Sequence, residues 1–321
     1  MATTNNLTST TSLSAKMAVY YDRMMLDRLR ADLVFHKFGQ KKNLPANSGK
    51  IVQWFRRTDL VGGSSGSSDP TFTALSEGVV PTSIGLSATS ISAQLSQYGD
   101  YTQTSDLIQL TSIDDEIEAA VDALGWRAQQ LVDGLDRAIL DAGTNVAYAN
   151  GKSPLSAVYS TDVLTGAEVR KGVRLLKTVN ARPFDGGLFV WIIHPNNSYD
   201  LQGDTASGGW VNANTYVATT DVEAGEIGKF GGARFIETTQ VSNTTTGTSG
   251  SSHVYSTHLL SQGAFGVVDF DGGVHTYVKK SGEQDTSNPL NQYATVGFKL
   301  TYANKMLDEN RQVTYKVGSG N

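Results

Sequence analysis

Gly151, Lys152 and Ser153 imitate the end of a phosphate-binding P-loop, where curled backbone amides and a lysine cradle a phosphate. The motif needs another glycine five residues before Gly151, and Val146 holds that place. Without it the backbone cannot easily curl around an anion. The five histidines, His36, His194, His253, His258 and His275, form no H-E-x-x-H pair. His253 and His258 fall on opposite faces if their segment is a strand, so a structural role is expected rather than a zinc site. Asp269-Phe270-Asp271-Gly272 could begin a calcium loop, but the later ligands and the closing glutamate are missing, and a turn explains it better. Asp114, Asp115, Glu116 and Glu118 lie where a helix begins, and carboxylates there favour the helix dipole. No G-x-S-x-G elbow is present, and the Asn-x-Ser/Thr triplets at Asn6, Asn196 and Asn243 carry little meaning without a secretory signal. With no convergent acid, base or nucleophile, no catalytic, cofactor-binding or metal residues are assigned, and the expectation is a protein that is not an enzyme and uses no cofactor.

Composition narrows the class further. The chain has 321 residues, 26 basic and 31 acidic, for a net charge of −5. That balance argues against a module that reads nucleic-acid sequence, which would carry a basic stripe, but it permits a container whose wall DNA does not adhere to. Cysteine is absent, so no disulfide framework or thiolate metal site is possible. No apolar run approaches the ~20 residues of a bilayer span. Met1 to Ser14 is rich in Thr, Ser and Asn, with no basic segment ahead of an apolar core, and reads as a flexible polar arm.

The elements that would position any site follow from periodicity. Lys16 to Val34 is helical in pattern, with Met17, Tyr20 or Tyr21, Met24, Leu29 and Leu33 recurring between charged residues. Lys50 to Thr58 reads as a strand, Ile51, Gln53 and Phe55 facing opposite to Val52, Trp54 and Arg56. Beyond a Gly/Ser tip at Gly62 to Pro70, the alternation at Ile84, Leu86 and Ala88 resumes out of phase at Ile91, Ala93 and Leu95, which predicts a bulge or kink. Lys50 to about Thr104 is thus a long two-armed β excursion that needs a surface to rest on. Ser112 and Asp115 open the clearest helix, with apolar positions Ile113, Ile117, Val121, Leu124, Ala128, Leu131, Leu135 and Ile139, ending at Gly143 after about 45 Å. Thr165 and Glu168 predict a capping box for a helix through Val169, Val173, Leu176 and Val179. Leu188 to Ile193 is apolar throughout, as in a strand covered on both faces, and Asn196 or Asn197 could cap a short helix after it. Strands are predicted at Ala233–Glu237, Val254–Leu260, Ala264–Phe270, Val274–Val278, Thr295–Tyr302 and Gln312–Val317, with a second disordered-looking tip at Thr244 to Ser252.

Several stretches, in one consistent order from about Met17 to Val317, resemble the N-four-type major coat proteins of tailed bacteriophages. They include Tyr21-Asp22-Arg23, Phe38-Gly39-Gln40-Lys41, Asn47-Ser48-Gly49-Lys50, Leu75-Ser76-Glu77-Gly78, and Gln97-Tyr98-Gly99-Asp100-Tyr101. Further on come Ala142-Gly143-Thr144-Asn145-Val146, Pro183-Phe184-Asp185-Gly186-Gly187, Ile193-His194-Pro195, Gly225-Glu226-Ile227-Gly228-Lys229, and Asn288-Pro289-Leu290-Asn291-Gln292. The resemblance implies an α+β Hong Kong 97-type coat fold. Its N-terminal arm would be residues 1–38, its extended loop 39–110, its peripheral domain 111–142 with 270–321, and its axial domain 143–269. It further implies hexamers and pentamers that close an icosahedral head around double-stranded DNA, with portal and scaffold proteins as partners and a decoration protein left open. Such a subunit would be assembled in the host cytoplasm and found in the virion, with no membrane contact. On this reading Met17, Tyr20, Met24 and Leu29, with Trp54 and Phe55, are the expected intersubunit contacts. An encapsulin-like compartment shell is the nearest alternative, and a β-rich adhesin or fibre protein a more distant one.

Overall fold

The computed structural model describes residues 24–25, 33–43, 49–57, 75, 77–80, 88–111, 116–205, 226–246, 252–268, 274–279, 289–290 and 292–319. A 3-10 turn at Phe35–Phe38 leads into β1 (Gln40–Lys42). Then come β2 (Ile51–Arg57), β3 (Ala88–Gln94), β4 (Ser96–Ser105), a short α1 (Asp106–Thr111) and the long α2 (Glu116–Asp141). The middle of the chain holds β5 (Val146–Tyr148), α3 (Gly166–Thr178), β6 (Phe189–Ile193) and α4 (Pro195–Gln202). β7 (Glu226–Phe230), β8 (Ala233–Glu237), β9 (Asn243–Thr246), β10 (Ser252–Leu260) and β11 (Phe265–Val268) follow. The last elements are β12 (Val274–Lys279), β13 (Tyr293–Tyr302), β14 (Asn304–Met306) and β15 (Gln312–Gly318).

Those strands form a mixed sheet in the order β5-β15-β10-β6-β8-β7, with β9 on the outer stretch of β10, and three smaller sheets. In the mixed sheet β6 is buried along its whole length. The pleat sends Phe189, Trp191 and Ile193 into a core shared with Val169, Val173 and Leu176 of α3. Val190 and Ile192 point the other way, into a core shared with Val121, Leu124 and Ala128 of α2. The second core continues onto Val296, Phe298, Leu300 and Tyr302, the predicted face of β13. β13 pairs with β12 on one side and β4 on the other.

Local chemistry explains most of these boundaries. Thr165 Oγ1 accepts from the Glu168 N–H at 3.4 Å and caps α3, but the reciprocal half of the capping box is not made. Glu168 is buried and accepts instead from the Tyr315 hydroxyl, whose pKa burial pushes up, keeping it a donor. The cap of α4 is His194, not an asparagine: its Nδ1 accepts from the Asn196 N–H at 3.1 Å, and Pro195 occupies the first helical position. The predicted bulge is absent from the described part of β3, whose register with β2 is unbroken from Ala88 to Gln94. The strand is interrupted instead at Leu95, where pairing passes from β2 (with β3) to β13 (with β4). The last segment also divides: β12 and β13 join β4, whereas β15 lies inside the mixed sheet between β5 and β10. The capping pair at Ser112 and Asp115, the Asp269 to Gly272 turn and the Gly62 to Pro70 tip lie outside the described residues.

The long helix departs from its predicted stripe in its second half. Buried positions run Ile117, Val121, Leu124, Ala128, Val132, Asp133, Asp136 and Leu140, while Leu131, Leu135 and Ile139 are half-buried. Two carboxylates turn the face. Asp136 Oδ1 accepts from the Tyr302 hydroxyl and from Asn304 Nδ2, each at 2.7 Å. Asp133 Oδ2 accepts from the Val34 N–H at 3.0 Å and from Gln129 Nε2 at 3.2 Å. A stripe counted on apolar residues alone cannot include them. Burial, aided by the neighbouring Asp136 charge, raises Asp133 to about 6 against these donors. Because its folded pKa is raised, the stability it contributes is full below about pH 4 and lost as pH rises through about 6. Asp133→Asn should therefore stabilise the isolated subunit at pH 7.5, by up to about 3 kcal/mol, with the gain gone at pH 4. Urea unfolding across that pH range checks this; parallel pH dependences for variant and wild type would contradict it.

Candidate intersubunit surface

Alternation along β2 divides its side chains between two jobs. Val52 and Trp54 face inward onto Val268, Ala303 and Leu307, which gives the β2–β3 hairpin its resting surface. Trp54 is 4% exposed and lies over Gly266, where a Cβ would stand 2.6 Å from the indole, so no side chain fits beneath the ring. Within its own chain Trp54 is thus almost fully covered, unlike its expected companion Phe55. Ile51 and Phe55 face outward, 57% and 67% exposed. Arg56 ties the hairpin down through Asp308, 3.1 Å away, and Lys42 stands 5.8 Å from the centre of the Phe55 ring.

A second outward surface lies on the three-stranded sheet. Its inner face packs on α2. On its outer face the register sets Tyr101 opposite Gly297 and Gly297 opposite Tyr277. The two tyrosines are 65% and 57% exposed and flank the glycine. A Cβ at Gly297 would stand 2.9 Å from the Tyr101 Cβ, so the glycine keeps the gap between the rings open. Sequence reasoning missed this pair, because only the register joins residues 176 positions apart, the difference between 277 and 101.

The remaining expected contacts fall as follows. Met17, Tyr20 and Leu29 lie outside the described residues. Met24 is half-buried against the α2 core of its own chain, beside the fully buried Met25. Leu33, Phe35 and Phe38 belong to that same core, so the arm gives way to structural core before residue 38. His36 Nδ1 is 3.1 Å from the Tyr302 hydroxyl and 3.6 Å from Asp136, which anchors this root to α2.

Residues that hinted at chemistry take structural partners. Lys152, from the P-loop imitation, pairs with Asp162 at 3.1 Å and lies over Tyr159. His258 is fully buried, edge-on to Phe35 and 3.3 Å from Asp141. Burial lowers its pKa, so it is neutral at pH 7. Among the described residues no group of three His, Asp or Glu side chains is disposed to hold a metal, and no helix is long and apolar enough to cross a membrane.

No protein-family model matches the sequence, and no curated protein sequence does. Solved structures do match the fold. The capsid of Ralstonia phage GP4 superposes with a TM-score of 0.70 at 14% identity, covering 88% of each chain. The capsid chain of cyanophage Pam1 gives 0.63 at 17% identity, over 88% of this chain and 89% of that one. A virus-like particle from Pyrococcus furiosus gives 0.50 at 11% identity, over 94% and 100%. At such identities the likeness is one of fold, running through nearly the whole of both partners. The chain has the mixed helix-and-sheet fold of tailed-phage capsid subunits, the Hong Kong 97-type fold that the sequence resemblance implied.

Proposed function

We propose that this chain is the major coat subunit of a tailed phage, assembling through hexamers and pentamers into an icosahedral head around double-stranded DNA. The observation that carries the reading is the superposition on the GP4 capsid chain over 88% of both molecules. On this reading the β2–β3 hairpin belongs to the extended loop, α2 is the spine of the peripheral domain, and the mixed sheet with α3 forms the axial domain. Portal and scaffold proteins are the partners such a head requires.

The exposed aromatic surface suits that role. Phe55, Tyr101 and Tyr277 are large side chains held outward on strands whose other faces are fixed in the core. Aromatic residues of this kind are enriched at interfaces, where they bury much area at little entropic cost. A shell subunit needs several such contacts, each weak enough to be corrected during assembly and jointly strong enough to hold. The compartment shell is the second reading, favoured by the Pyrococcus particle, but its TM-score of 0.50 is well below the 0.70 of the phage capsid.

Sedimentation followed by electron microscopy tests the proposal. Closed shells, or capsomers that close when scaffold is supplied, are the expected result, and nuclease-resistant DNA in shells from infected cells separates the phage head from a cargo compartment. A chain that stays monomeric with scaffold present would overturn it. Removing residues 1–23 should leave a folded subunit that fails to close shells, whereas removing 1–38 should unfold it, since Leu33, Phe35 and Phe38 are core. Phe55→Ser should leave subunit stability within about 0.5 kcal/mol and lower shell yield, while Trp54→Ala should cost about 3–5 kcal/mol of subunit stability.

A further inference from the structure

Five cations from separate stretches of this acidic chain surround one cleft. Lys37, Arg182 and Arg311 line a cavity of about 370 Å³ beside Gln40 and Gly263. The same Gln40, Gly263 and Arg311 border a smaller cavity of about 140 Å³ that Arg56 and Arg57 also line. Among the described residues, neither cavity is lined by an aspartate or glutamate. Asp308 pairs with two of the five cations, at 3.1 Å from Arg56 and 3.3 Å from Arg311. Lys37, Arg57 and Arg182 are exposed and have no carboxylate in ion-pair reach among the described residues. Five cations against one carboxylate leave a surplus of four, an unfavourable gathering unless a counter-charge arrives.

We propose that this cleft binds a small oxyanion carrying several phosphoryl groups, of the inorganic polyphosphate class. Four of the five cations are arginines, whose planar forks match phosphate oxygens two at a time. Two of those forks are held in place: Arg56 donates to the Leu307 carbonyl at 3.4 Å and Arg311 to the Gln262 carbonyl at 3.0 Å. Gly263, common to both cavities, keeps the approach to Arg311 open. A Cβ there would stand 3.0 Å from Arg311 Nη1 and 4.0 Å from Gln40 Oε1, in space an anion needs to reach the guanidinium. The cations come from the root of the arm (Lys37), the β2–β3 hairpin (Arg56, Arg57) and the body of the subunit (Arg182, Arg311), so one compact anion bridges all three. Recesses of this size admit a short chain of phosphoryl groups, whereas a duplex lays only the phosphates of one edge across them.

Calorimetric titration of the full chain with sodium tripolyphosphate, against sodium chloride at equal ionic strength, tests this. One tripolyphosphate per cleft is expected, with affinity falling about tenfold or more for Arg57→Ser combined with Arg182→Ser. Both positions are exposed, so that variant should fold, and an unchanged urea-unfolding curve without the anion checks it. Arg174 and Lys177 stand on the exposed face of α3 beside a different cavity, and Arg174→Ser with Lys177→Ser removes the same charge there. That pair should change the affinity of the cleft by less than about twofold, since exposed charges at a distance are screened. Equal weakening by both pairs, or no binding of tripolyphosphate, overturns the cleft assignment and leaves the coat reading standing. A short DNA duplex that displaces tripolyphosphate, and that binds the Arg57 and Arg182 variant at least tenfold more weakly, assigns the phosphoryl groups to a nucleic-acid backbone. Failure of the duplex to displace it assigns them to a free polyphosphate.

Discussion

Five consecutive apolar side chains, Phe189 to Ile193, impose the constraint on which the rest of the molecule is arranged. A pleated strand sends alternate residues to opposite sides, so such a run is satisfied only where both sides are dry. Hence α3 covers one face and α2 the other, and each half of the molecule has its own core with β6 as the party wall. Backbone polarity is handled by the same placement: β6 is paired antiparallel to β10 and parallel to β8, leaving no edge exposed. The indole of Trp191, in the middle of that run, carries a donor into the core and finds Thr257 Oγ1 at 3.0 Å, which in turn donates to the Tyr315 carbonyl at 3.0 Å.

The second organising feature is polar. Asp133 and Asp136 are buried on α2, a costly placement for carboxylates that is offset by donors from three directions: the chain root at Val34, Gln129 on the helix itself, and Tyr302 with Asn304 where β13 passes into β14. Apolar packing alone would let these pieces slide along the helix. Directional bonds to two fixed carboxylates set one position along its length.

How much of this was legible in the sequence depends on the kind of signal. Patterns that repeat along one element were readable: the apolar run of β6, the alternation Val296 to Tyr302, the hydroxyl cap at Thr165, and the stop of α2 just before Gly143. Family resemblance supplied the fold, which periodicity could not. What escaped were facts that belong to pairs of distant segments. The inward turn of Asp136 depends on Tyr302, the fate of Trp54 on a glycine at 266, and the tyrosine pair on a register across three strands. The expected contact residues were chosen because they are large and apolar, and size alone does not say whether a side chain is spent at home.

β15 has a consequence for how the molecule can be made. Its residues 312–318 fill the slot between β5 and β10, with Thr314 beside Val146 and Tyr315 beside Thr257. Until the ribosome has released that stretch, β5 has no partner in the sheet and the core beside α3 lacks Val313, Tyr315 and Val317. Contacts between residues so far apart in sequence form late and slowly. An emerging chain is therefore held short of its native sheet until residues 312–318 are available. A product terminated before that stretch lacks the strand that joins β5 to β10.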